Sequence, residues 1–415
     1  MPATPPRAQY GAAAYAGFTG ALPSPFPRTL GPNALAYLKE VVDSGLTVDL
    51  VTRFETAFAK AMGVRHCIAA PGCTNALAVL AEALDFAPGD EVVVSPITDY
   101  GTIMGIIKKG LIPVFADTEP GSPNLSARTI APCLSDRTRA LLCVHKTGLL
   151  CEMDAILALA RPRGLLVIED ACQAVYSRAR GRLAGTLGDV GAFSFDSEKT
   201  MGADVGGCLI TNDDRLAERA RLLGQSRGAQ QQPGFGRRHV AAGQALRMPN
   251  CTAAICLAQL EIIEEQVAHR DRMIRLLTGL LAEIPGITPL AIPDWQDVYS
   301  CWMTGFSLDP AQFRVDAEAF AAQCAAAGLT GAGTGKYYLM PAACTFLQAN
   351  AAAQVYPYSQ PPASRRYHYA AESCPTAWAF LQHWVRWTTF CEKYQPEHCE
   401  LAARIVRQVA AANRR

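Results

Sequence analysis

Apolar and polar positions along this chain follow two different periods. NALAYLKEVVDSG and TVDLVTRFETAFAKAMG space their apolar residues by three and four, and they end at Gly45 and Gly63. That spacing predicts two helices between residues 33 and 62. Short continuous apolar runs then take over: HCIAAPG, EVVVSPI, IPVFADTE, RALLCVHKT and GLLVIED. Each is β-branched or leucine-rich and stops at polar, Gly or Pro residues, as strands buried on both faces do. Helical segments fill the gaps: TNALAVLAEALDF, TDYGTIMGIIKKG and DAILALARPRG. GAFSFD and GGCLITND follow as two adjacent short strands. This βαβ rhythm predicts an α/β fold, a mostly parallel sheet with helices on both faces.

Between 224 and 242 the chain changes to GQSRGAQQQPGFGRRHVAAG, rich in Gly, Gln and Arg. It reads as a mobile loop, and a surface insertion and a substrate lid fit it equally well. NCTAAICLAQLEIIEEQVAHRDRMIRLLTGLLAEI reads as one long bridging helix. From about 286 the pattern is mixed α+β and ends in the amphipathic stretch EHCELAARIVRQVAAA. The expected organisation is an arm over 1–30, a large domain over 31–265, and a smaller C-terminal α+β domain over 266–415 that includes the bridging helix.

Composition narrows the function. The chain has 415 residues, half of them apolar, which is enough for a large core. A net charge of +1 gives no field to recruit nucleic acid or an anionic membrane, and no apolar run reaches spanning length. The opening MPATPPRAQYGAAAYAGFTGALPSPFP is interrupted by Gly and Pro and reads as a flexible arm, not a secretion signal. A cytoplasmic location is expected. Fifteen scattered cysteines without a CxxC pair suggest buried thiols in a reducing compartment and no metal site.

In open parallel sheets, ligands bind at the carboxyl ends of the strands. Cys73, Thr74 and Asn75 follow one strand and open a helix, where unpaired N–H groups stabilise an anion such as phosphate. Thr and Asn are also ordinary caps. Asp170 ends a buried strand, where a carboxylate needs a cation or donors, and a protonated pyridine nitrogen is one such cation. Gln173, three residues on, can reach that ring's phenolic oxygen, or be a surface amide. Tyr100 can stack on a heteroaromatic ring, or pack in the core. Ser194 offers a hydroxyl to phosphate. Lys199 lies between a strand and a glycine-rich turn. It is either a solvated loop lysine or an amine held to form a Schiff base. A GK[ST] phosphate loop and a GxGxxG after the first strand are absent, which argues against a nucleotide-binding protein.

In this order the residues resemble a known family. GDEVVVSPIT, PVFADTEPGSPNLS, IEDACQAV, GDVGAFSFDSEKT, GGCLITND and RMPNCTAAICLAQLEIIEEQVAHR resemble the DegT/DnrJ/StrS group of pyridoxal-phosphate-dependent sugar aminotransferases. The resemblance runs from about residue 30 to the C-terminus and implies the fold type I architecture with pyridoxal 5′-phosphate as cofactor. It also implies a homodimer with shared active sites. It makes Lys199 the Schiff-base lysine, Asp170 the pyridinium partner, Gln173 the neighbour of the phenolic oxygen and Tyr100 the stacking aromatic. Ser194, Cys73, Thr74 and Asn75 become phosphate-end contacts.

The chain departs from the family pattern around the site. Ala245-Leu246-Arg247 stands where an Asn-Tyr-Arg run is usual, Lys146 where an apolar residue is usual, and Leu150 where proline is common. The expected activity is transfer of an amino group from glutamate or glutamine to a keto-sugar, keto-cyclitol or related natural-product intermediate. Elimination, oxidation or decarboxylation on the same cofactor is the alternative, and a cofactor-binding protein without turnover is a second. GAGTGKYYLMPAACTF, with Lys336 and Tyr337, resembles a stretch that approaches the site in longer family members. Arg365 and Arg366 read as surface residues in preference to substrate contacts.

Overall fold

The computed structural model describes residues 20–415. Of the expected N-terminal arm, residues 1–19 lie outside the described residues, and 20–30 form no helix or strand. Two helices follow, α1 (Ala34–Asp43) and α2 (Leu50–Met62). Gly63, in the left-handed region at φ 69°, ends α2 as its sequence predicts.

The strands of the first part are β1 (His66–Ala70), β2 (Glu91–Val94), β3 (Ile112–Phe115), β4 (Thr138–Val144) and β5 (Leu166–Asp170). After them come the short β6 (Arg178–Ala179) and β7 (Arg182–Leu183), then β8 (Val190–Ser194) and β9 (Gly207–Thr211). Seven of them form one sheet in the order β1-β9-β8-β5-β4-β2-β3. The β8-β5-β4-β2-β3 pairings are parallel, and β9 runs antiparallel to both its neighbours. The parallel strands bury both faces. Val92, Val94, Leu142, Val144 and Ile168 enter one apolar cluster, while Val93, Leu141, Cys143 and Val167 enter another on the opposite face. This alternation explains why the runs read as continuously apolar.

Helices α3 (Cys73–Ala83) and α4 (Tyr100–Lys108) leave the carboxyl ends of β1 and β2. Two glycines let these elements close up around the sheet edge. A Cβ on Gly207 of β9 would lie 2.3 Å from the Cys73 backbone nitrogen, and one on Gly101 would lie 2.4 Å from Thr74 Oγ1.

Within the segment 224–242, β10 (Ala229–Gln232) pairs with β11 (Gly236–His239) as an exposed hairpin. The expected single long helix is two, Asn250–Leu260 and Ile263–Ala282. Asn33 and Tyr37 of the α1 region donate to the Glu261 carboxylate at the break. The first helix and the start of the second, Ile263 and Val267, serve one core, and the rest of the second serves another. Ala253, Ala254, Cys256 and Leu257 pack with α2, whereas Met273, Ile274, Leu277 and Leu281 pack with the C-terminal part. Apolar periodicity alone did not reveal the turn between the two helices.

The C-terminal part carries β12 (Ile287–Pro289), β13 (Gln296–Val298), β14 (Thr304–Leu308), β15 (Ala332–Gly333) and β16 (Trp384–Trp387). An antiparallel sheet in the order β12-β14-β16-β15 is backed by the helices Ala317–Ala326 and Pro396–Ala412. β13 instead pairs with β6. The bridge Ile97–Leu339 and the Met340 N–H to Pro96 carbonyl bond (3.0 Å) tie this part to the loop after β2, at the sheet's carboxyl edge.

Candidate active site

A cavity of about 460 Å3 opens at the carboxyl ends of β1, β2, β5 and β8. Its wall includes Cys73, Thr74, Asn75, Asp170, Gln173, Ser194 and Lys199, so seven of the eight expected residues meet in one place.

The α3 end is built for an anion. Gly72 is extended (φ −169°) and offers no side-chain cap, so the first-turn N–H groups face the cavity without a competing carboxylate. Ser194, at the end of β8, adds a hydroxyl.

Asp170 ends β5 and is buried. Thr102 Oγ1 donates to its Oδ2 at 2.7 Å, and the Cys172 N–H donates to its Oδ1 at 3.1 Å. Thr98 stands 2.7 Å behind Thr102 and extends the chain of hydroxyls. Preceding Asp170 in β5, Glu169 accepts N–H bonds from Gly185, Leu187 and Gly188 and lies 2.8 Å from His145 Nε2. The Cys151 N–H donates to His145 Nδ1. Nε2 therefore carries the hydrogen given to Glu169, and the two buried groups fix the sheet edge without facing the cavity.

Gln173 Oε1 accepts the Thr147 N–H at 2.7 Å. With its oxygen committed, the amide can only donate into the cavity. Thr147 is held in the left-handed region (φ 64°), and its hydroxyl meets Tyr299 at 3.0 Å.

Lys199 sits in the turn after β8, where its N–H donates to the Asp196 carbonyl. Arg28 clips the same turn by donating to the carbonyls of Lys199 and Thr200 at 2.6 and 2.9 Å. The Lys199 amine lies 3.7 Å from the Trp302 ring centroid. Trp302 in turn donates its Nε1–H to the Glu198 carbonyl at 2.9 Å.

Tyr100 stands apart from the other seven. It is the first residue of α4, is 41% exposed, and packs edge-on to Phe346 at 6.0 Å. Its ring is not part of the wall; the neighbouring Asp99 and Gly101 are. One step along a helix start rotates the side chain away from the cavity. The wall's aromatic rings are Trp302, Tyr337 and Tyr338, from the C-terminal part. Of these only Tyr337 was singled out in the sequence. Thr102 carried a usable signal, two residues past Tyr100 on α4, but Trp302 carried none.

Other residues fall elsewhere. Arg365 keeps a partly exposed side chain. It makes a two-pronged pair with buried Glu91 at 2.8 and 3.0 Å. Arg366 and Lys336 are exposed. Cys73 and Cys172, distant in sequence, bring their sulfurs to 2.9 Å beside Asp170.

The donor set suits pyridoxal 5′-phosphate. It provides a helix N-terminus for the phosphate, a buried carboxylate for a ring N–H, an amide donor and an amine.

Comparison with known proteins agrees. Residues 29–384 match the model of the DegT/DnrJ/EryC1/StrS aminotransferase family. GDP-perosamine synthase of Caulobacter vibrioides is 41% identical over 234 residues, spanning 56% of this chain and 62% of that protein. The spore coat polysaccharide biosynthesis protein SpsC of Bacillus subtilis is 33% identical over 66% of this chain and 73% of its own length. Among solved structures, 3-amino-5-hydroxybenzoic acid synthase superposes with a TM-score of 0.80 at 25% identity, covering 95% of this chain and all of that one. The chain thus belongs to the DegT/DnrJ/EryC1/StrS aminotransferase family and is built on the fold of its pyridoxal-phosphate-dependent members.

Proposed function

We propose that the chain moves an amino group from glutamate or glutamine to a keto-sugar, keto-cyclitol or related natural-product intermediate. The observation that carries this reading is the meeting of Lys199 and Asp170 on one cavity with the α3 N-terminus. Relatives point the same way. The putative L-glutamine:3-amino-2,3-dideoxy-scyllo-inosose aminotransferase of Streptoalloteichus tenebrarius is 33% identical over 67% of this chain and 68% of its own length.

The bound cofactor would supply an aldehyde for amines and a ring that absorbs electron density. In this reading the first turn of α3 and Ser194 grip the phosphate. Asp170 keeps the ring nitrogen protonated and is itself oriented by Thr102. Gln173 donates to the phenolic oxygen. Lys199 Nζ anchors the cofactor and, once released, takes the proton from the donor's α-carbon. Its place against Trp302 holds it in the cavity while it is free. Two copies of the chain sharing their sites, a cytoplasmic location, and the division at 265/266 with a preceding arm belong to the same proposal.

The test is to mix the cofactor-loaded protein with glutamine, glutamate and a panel of keto-sugars, following absorbance. An amino donor should convert the cofactor to its amine form, and the right acceptor should convert it back. A protein that holds the cofactor yet shows neither change is not an aminotransferase of these donors.

A further inference from the structure

The wall of the cavity has an unusual charge pattern. It carries four carboxylates, Asp99, Asp170, Asp196 and Glu198, and among its described residues a single amine, Lys199. Yet an amino-acid donor brings a carboxylate bonded to the same carbon that must lose its proton to Lys199. That negative charge has to settle close to Lys199, and Lys199 is occupied by the chemistry. Another cation is required.

Behind the wall there is one without a partner. Lys146 follows β4, is 0% exposed, and its Nζ has no hydrogen-bond partner. The amine lies 3.3 Å from the ring centroid of Tyr338, itself a wall residue. Burial drives the Lys146 amine well below its ordinary range, and the Lys199 charge pushes it further the same way. Arg386 also opposes its charge, while Asp99 and Asp170 favour it. Arg386 lies 5.6 Å from Tyr337 and 5.8 Å from Tyr338, with its Nε–H given to the Thr334 carbonyl at 2.7 Å. Two wall tyrosines thus lie against a pair of basic side chains, and the Lys146 amine among them has no hydrogen-bond acceptor. An amine buried without an acceptor costs stability. Packing does not require it, because a methionine fills nearly the same volume.

We propose that Lys146 determines specificity by receiving the carboxylate of the amino donor. This inference rests on the aminotransferase reading. In the empty site the amine is covered by Tyr338, and burial disfavours its charged form. When a carboxylate enters, Tyr338 turns aside, the charged form of the amine is favoured by proton uptake from solvent, and the ammonium pairs with the carboxylate. No bond other than this N–H forms, and the proton comes from buffer.

The experiment uses cofactor-loaded protein and glutarate, a dicarboxylate that cannot react. Binding is measured by calorimetry at about pH 7.5, where both glutarate carboxylates are ionised, in two buffers of different ionisation enthalpy. The wild type should take up protons as glutarate binds, because pairing with a carboxylate favours the charged amine that burial disfavours. Lys146→Met should bind glutarate roughly tenfold more weakly or worse, as loss of a charged hydrogen bond predicts, take up almost no proton, and melt at a higher temperature. The inference is overturned if the variant takes up as many protons as the wild type, or if it melts lower with glutarate binding unchanged. It is equally overturned if inorganic pyrophosphate brings the Lys146-dependent proton uptake and glutarate does not, since the anion read would then be a phosphate. Single-turnover absorbance with glutamate separates this from the parent reading. A wild type that transaminates glutamate but takes up no proton with glutarate refutes only the role of Lys146.

Discussion

Thr102 gives its hydroxyl hydrogen to Asp170 Oδ2 at 2.7 Å, while the backbone N–H of Cys172 holds the other oxygen. The carboxylate is thereby fixed in one plane before any ligand arrives. A buried acid held in this way is preorganised for a cation, because it need not reorient when the cation binds.

Thr102→Val keeps the shape and removes the hydroxyl. A hydrogen bond to a charged group contributes about 1.5–3 kcal/mol. Pyridoxal 5′-phosphate affinity, measured by titrating apoprotein and following absorbance, should fall about ten- to hundredfold for that loss. The folded content by circular dichroism should not change. An unaltered affinity would mean that Thr102 does not orient Asp170 for the cofactor.

The two thiols beside Asp170 should be unreactive despite their contact. The hydrogen bond from Cys172 works to lower the Cys73 pKa, but burial and the Asp170 charge outweigh it and leave the net shift upward. Cys172 is pushed well up by its hydrogen bond with Cys73 and by burial. The thiolate is the nucleophile, so both should resist iodoacetamide at neutral pH while exposed Cys251 reacts. Peptide mapping after timed alkylation reads this directly. Rapid labelling of Cys172 before Cys251 would contradict it.

Lys146 should leave a mark on the pH dependence of stability. Its amine is depressed in the folded protein and ordinary, near 10.5, in the unfolded chain. Between those two values the unfolded chain binds the extra proton, so stability rises with pH up to the unfolded value and falls as the solution is acidified. The slope from one such group approaches about 1.4 kcal/mol per pH unit at most. Lys146→Met should flatten the curve over that window and lie above the wild type below it. Denaturant unfolding at several pH values reads both effects, and parallel curves for the two proteins would contradict a buried amine whose charge is disfavoured.

Much of this molecule is legible in its sequence where burial is two-sided or local. Val92 to Val94 and Leu141 to Val144 read as strands because both faces of the sheet are covered. Cys73 to Asn75 read as an anion end because a helix start follows a strand directly. What failed was orientation and distance. Tyr100 was assigned by its place after a strand, but the start of α4 turns its ring toward Phe346. The break at Glu261 is fixed by side chains of Asn33 and Tyr37, far earlier in the chain. Trp302 reaches Lys199 only because the C-terminal part folds back onto the sheet edge. Arg365 reads as surface and is partly exposed, but its pairing with the strand residue Glu91 is not visible in the sequence. Contacts of this kind are set by tertiary packing and leave no local period or spacing to read.

The most direct test of the account is the absorbance spectrum of Lys199→Ala after incubation with pyridoxal 5′-phosphate and removal of the excess. The visible band of covalently anchored cofactor, present in the wild type, should be absent from the variant, with its fold intact by circular dichroism. An unchanged band would show that a different amine carries the cofactor, and the assignment of Lys199 would be wrong.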